Sequence, residues 1–165
     1  MKKSVRLWPV PIGPIETFRL EYLRCLAVHR LPGNSPATEG LVKAGNAARC
    51  AVMDLAADVV AAADIAAEEL VASICMPEDP DMHGPALVPP DLKIKLKVVR
   101  ICARLREGQA RVRTSHLKAG ADDLEIWREL WNLIEDIRTQ KPVIEYWVEQ
   151  CRKATIANKK ILQVS

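Results

Sequence analysis

Lys93, Lys97, Arg100, Arg104, Arg111 and Lys118 are the residues of this chain whose type and spacing point most directly to chemistry. At about 100° per residue they fall within roughly 80° of one another, a single basic line along a helix about 40 Å long. Regularly spaced cations without base-reading side chains suit phosphate contact, which positions a nucleic acid without reading its sequence. An ordinary solvated face is the plainer alternative. Such faces usually mix signs to build i, i+4 pairs, however, and this one carries a single acid, Glu107.

Other groups offer less. Asp54/Asp58 and Asp64/Glu68 are i, i+4 carboxylate pairs that could face one divalent ion. A bundle-type metal site also needs Glu-x-x-His on facing helices, and no such motif occurs, so a solvated or ion-paired face is the better reading. His83 lies among Cys75, Glu78, Asp79 and Asp81, but the spacing matches no zinc pattern and the prolines around it define no geometry. Trp127, Trp131 and Trp147 could stack bases, yet their placement amid Leu and Ile marks them as core. No nucleophile elbow, phosphate loop or dinucleotide fingerprint is present. No catalytic residue, metal or cofactor is expected.

The elements that must position the basic line follow from periodicity. Residues 91–119 read as its helix, with Ile94, Val98, Ile101, Leu105 and Val112 on one flank and Leu92, Leu96, Val99, Ala103 and Leu117 on the other. Two such seams predict a helix packed between two neighbours, its ridge left to water. Upstream, Pro14 suits a helical first turn, and Ile15, Phe18, Tyr22, Leu23 and Leu26 follow at helical spacing. Ser35 as cap, Pro36 and Glu39 predict a second start. From there to Cys75 runs the most buried helix, with Asp54, Asp58, Asp64, Glu68 and Glu69 on one arc and Val52, Leu55, Val59, Val60, Leu70, Val71 and Ile74 opposite. Gly40, Gly45 and, on the basic helix, Gly108 read as weak points. Residues 76–90 hold five prolines and form a long loop. After Gly120, Leu124, Trp127, Leu130, Trp131, Ile134 and Ile137 define a further helix. Thr139 and Pro142 kink or restart it before Val143, Trp147, Cys151, Ala154 and Ile161.

The chain begins differently. Pro9, Pro11 and Pro14 lack donors and fix φ, so residues 1–14 read as an extended N-terminal arm anchored by Trp8. Trp8, Pro9 and Pro11 are its candidate partner contacts. The organisation expected is this arm followed by one domain, 15–165: an all-α, elongated antiparallel bundle of four to five helices.

Charge distribution says more than the net +3: residues 46–82 carry −7 and residues 91–121 carry +7. The two segments could fold back on one another with complementary faces, which would leave little potential for a ligand. Five cysteines without CxxC spacing, in helical patterns, suggest reduced thiols in the cytoplasm. No uncharged run is long enough to cross a bilayer. The reading is a non-enzymatic accessory subunit that contacts the backbone of RNA or DNA within a larger nucleoprotein assembly. The alternative is a protein-interaction or scaffold module, forming a homo-oligomer or binding an acidic protein surface.

Overall fold

Helix starts depend on which residue can satisfy the orphan N–H groups of a first turn. For the helix expected to run to Cys75 that residue is Thr38: its Oγ1 accepts the Leu41 N–H at 3.2 Å and its carbonyl accepts the Val42 N–H at 3.0 Å. The helix therefore begins at Glu39, and Ser35, expected as the cap, lies outside the described residues. The computed structural model describes residues 13–29, 38–74, 92–118 and 124–164. They form four helices, α1 (Gly13–His29), α2 (Glu39–Ile74), α3 (Leu92–Lys118) and α4 (Leu124–Val164). No strand occurs among the described residues.

Residue pairings fix the directions. Along α2 and α4 the numbers rise together: Gly45 lies on Trp127, the Trp147 Nε1–H donates to the Ala63 carbonyl at 3.3 Å, and Asn158 donates to Ser73 Oγ at 3.3 Å. The two longest helices are thus parallel neighbours within the bundle. Two chain reversals lie between them, so this follows from strict alternation. Opposite to α4 runs α3, where Arg111 meets Glu129 and Arg104 meets Asp136. Also opposite is α1, where Tyr22 stacks on Trp131 at 4.8 Å and Arg19 meets Glu135. Both α1 and α3 touch the α2–α4 pair, on opposite sides, and do not meet each other.

No fifth helix forms among the described residues, because α4 continues through Pro142. Pro142 cannot donate to the Arg138 carbonyl, but both residues are exposed and water can take that acceptor. Glycines read as weak points are close-approach points. A Cβ at Gly45 would lie 2.3 Å from Trp127 Cζ3, and one at Gly108 would lie 2.9 Å from Leu133 Cδ1. Each lets a large α4 side chain rest on a neighbouring backbone.

The core runs along the α2–α4 seam, from Phe18, Trp127 and Leu41 at one end to Leu70 and Cys151 at the other. Several expected inner positions lie outside it: Leu23 and Leu26 of α1 and Val71 of α2 are exposed. In α1 the fourth inner position is Cys25. Gly13 and Pro14 belong to α1; residues 1–12, the arm with Trp8, Pro9 and Pro11, and the loop 76–90 lie outside the described residues. No described helix is long and apolar enough to cross a membrane.

Candidate functional site

Only one of the two seams of α3 is covered. Val98, Ile101, Leu105 and Val112 are buried, with Cys102 and Gly108 between them. Across the helix Leu96 is 53% exposed, Val99 57% exposed, and Ala103 is exposed too. The expectation of burial on both flanks fails. Its cause is that α2 and α4 together form a single groove, and α3 lies in it by one face.

Ion pairs identify what flanks the outer strip. On the α4 side, Arg104 Nη2 lies 3.1 Å from Asp136 Oδ1, and Arg111 Nε lies 3.5 Å from Glu129 Oε2 and also approaches Glu107. Lys93, Lys97 and Arg100 continue this row and are exposed; Lys97 and Arg100 form no ion pair among the described residues. Lys118 ends α3, and its side chain lies outside the described residues. The structure therefore brings five of the six predicted cations onto one edge of α3, two of them shared with α4 yet still about half exposed.

Sequence reasoning missed a second row. Arg106 Nη2 meets Asp64 Oδ2 at 3.1 Å, which places that side of α3 against α2. Lys95 and Arg113 are 11 residues before and 7 after it, spacings that return to the same side of a helix. This is the available signal. Cations thus line both edges of an apolar crest, and from Lys93 to Arg106 no acid interrupts them.

The acidic arc of α2 does not neutralise the ridge. Asp64 is its one member paired across to α3 among the described residues, and with Arg106 rather than a ridge residue. Asp54, Asp58, Glu68 and Glu69 are exposed. The acids that do reach the ridge are Asp136 and Glu129 of α4, not foreseen because the register between α3 and α4 is set by buried residues such as Leu133 on Gly108.

Between α2 and α3 lies a groove of about 510 Å³ lined by Arg49, Cys50, Met53, Asp54, Val112, Arg113 and His116. His116 Nδ1 lies 3.0 Å from the Val112 carbonyl, which makes it the protonated nitrogen of the neutral ring. Its buried Nε2 has no partner among the described residues. Burial holds the pKa of His116 below the ordinary histidine value; the Val112 bond opposes this and the charge of Arg49 adds to it. The ring stands edge-on to Trp127 at 5.4 Å, as a packing residue does. Burial pushes the thiols of Cys102 and Cys151 up, the latter to about 11. No group of three His, Cys, Asp or Glu among the described residues could hold a metal ion. Trp127 and Trp147 are buried, and Trp131 lies between Tyr22 and Arg19.

No protein-family model matches the chain, and no curated protein or solved structure matches it either.

Proposed function

We propose that this protein is a non-enzymatic helical-bundle accessory subunit whose α3 ridge contacts the phosphate backbone of RNA or DNA within a larger assembly. The observation that supports the reading is the exposed run of Lys93, Lys97 and Arg100, continued by the half-exposed Arg104 and Arg111. From Lys93 to Arg104 successive cations stand about one turn, or ~5.4 Å, apart on a rigid helix, and Arg111 follows about two turns further on. Such a row supplies counterion release and orientation without base readout. Among the described residues Trp127 and Trp147 are buried and Trp131 packs against Tyr22, which supports backbone contact over stacking of bases on these tryptophans.

The experiment is binding of duplex and single-stranded RNA and DNA to the full chain and to Lys97→Glu/Arg100→Glu/Arg104→Glu. Weakening at least tenfold, uniform across sequences, supports the reading. Affinity unchanged by the three reversals ends it. A 260/280 nm absorbance ratio raised by co-purifying nucleic acid is the cheaper first sign.

One observation favours the scaffold reading: the uncovered crest of Leu96 and Val99 is apolar, and phosphate contact does not use it.

A further inference from the structure

Four large apolar side chains are exposed on the adjoining outer surfaces of α2 and α3: Ile65 (53%), Val71 (56%), Leu96 (53%) and Val99 (57%). They lie at similar heights. Ala63 and Ala67 of α2 share a hollow with Val98, Val99 and Cys102 of α3, so in this antiparallel pair residues near 65 stand level with residues near 100. By the same register Glu68 stands level with Lys95 to Lys97, Ala61 with Ala103, and Asp54 with Arg113, each within about one turn. The α2 half of this surface is acidic and small-sided, with Asp54, Ala57, Ala61 and Glu68 exposed; the α3 half is basic, with Lys95, Arg106 and Arg113 exposed.

A surface that is acidic on one helix and basic on its antiparallel neighbour, at matched heights, is complementary to itself. A two-fold axis parallel to the helices, in front of the pair, puts α2 of one copy on α3 of the other at the same height. We infer that this face binds a second copy of the chain. Ile65 and Ala61 of one protomer pack on Val99 and Ala103 of the other, and Glu68 and Asp54 meet Lys95 and Arg113 across the axis. Both halves repeat by symmetry, so the contact closes at a dimer. Two adjacent helices over the length of α3 offer a face about 40 Å by 20 Å, on the order of the 800 Å² per partner found in stable interfaces. Alanines on α2 permit the close approach.

This deepens the scaffold reading and is separate from the polyanion reading, since Lys97, Arg104 and Arg111 stand on the other edge of α3 and stay outside the interface. Its test is the mass of the full chain by sedimentation equilibrium in nucleic-acid-free buffer. The wild type is expected at twice its 18.4 kDa. Val99→Glu, at a position exposed in the single chain, is expected to halve the mass while the circular dichroism spectrum stays helical. Asp54→Lys/Glu68→Lys and Lys95→Glu/Arg113→Glu are each expected to be monomers, and an equimolar mixture of the two to form dimers again. A monomeric wild type overturns the inference. So does an oligomer that survives Val99→Glu, or a mixture that stays monomeric. Nucleic-acid binding retained by Val99→Glu would leave the polyanion reading standing whichever way the mass falls.

Discussion

On the inner side of α3, Val98, Ile101, Leu105 and Val112 are packed into the groove between α2 and α4; on its outer side, Leu96 and Val99 are more than half exposed. Composition does not distinguish the two strips, and both have helical spacing. What separates them is the floor each one meets. The inner strip carries Gly108, which lets Leu133 come against the α3 backbone, whereas nothing among the described residues rises over the outer one. Amphipathicity thus says how many sides of a helix can be buried, and only tertiary arrangement says how many are.

Truncation should separate the strips most strongly. Leu105→Ala removes a fully buried side chain and is expected to cost about 2–5 kcal/mol in urea unfolding, while Val99→Ala, in the charge-reversed Asp54→Lys/Glu68→Lys background expected to be monomeric, should stay within about 0.5 kcal/mol. Equal costs at the two positions would mean that the outer strip is covered in the isolated chain.

A second contrast lies between the two close-approach glycines. Gly45→Ala sets a methyl against the ring of Trp127, a fully buried side chain with no room to turn, and should destabilise by about 2 kcal/mol despite the better helix propensity. At Gly108 the obstacle is the end of Leu133, which can change rotamer, so alanine there should be neutral within about 1 kcal/mol.

The inner side also has a pH signature. Burial lowers the pKa of His116, so in the folded state it lies below the unfolded value of 6.5. An unfolded chain then takes up the proton first as pH falls. The contribution is intact above that unfolded value and declines as pH drops through it towards the lower folded value. Urea midpoints measured downward from pH 7.5 should fall in this window, and His116→Gln should remove that part of the decline. A midpoint rising on acidification through the same window would contradict the assignment.

Thiol labelling gives the smallest perturbation. In a Cys75→Ser background, native protein should react once, at exposed Cys50, and four times after denaturation, because Cys25, Cys102 and Cys151 are buried and free. Fast reaction of more than one thiol would show that the bundle opens.

Much of the fold was legible from periodicity and punctuation. Ile15, Phe18 and Tyr22 of α1, Val52, Leu55 and Val59 of α2, and Leu124, Trp127 and Leu130 of α4 are buried where the 3.6-residue spacing put them. Other features depend on contacts that spacing cannot supply. Thr38 caps α2 because its own Oγ reaches Leu41, and Pro142 sits in α4 because that side of the helix faces water. The ridge itself was legible as a row of Lys and Arg. Its partial neutralisation was not, since Asp136 and Glu129 come from a helix whose register on α3 depends on how Leu133 meets Gly108. The row of Lys95, Arg106 and Arg113 is present in the spacing, but that it lies beside the acidic helix depends on how α2 and α3 pack.

The measurement that tests the ridge most directly is duplex-DNA affinity of the full chain against salt concentration. Phosphate contacts by Lys93, Lys97, Arg100, Arg104 and Arg111 predict a log–log slope of about −4 to −5, reduced by about 2 to 3 in Lys97→Glu/Arg100→Glu/Arg104→Glu. A slope near zero, or one that the reversals leave unchanged, would contradict the account.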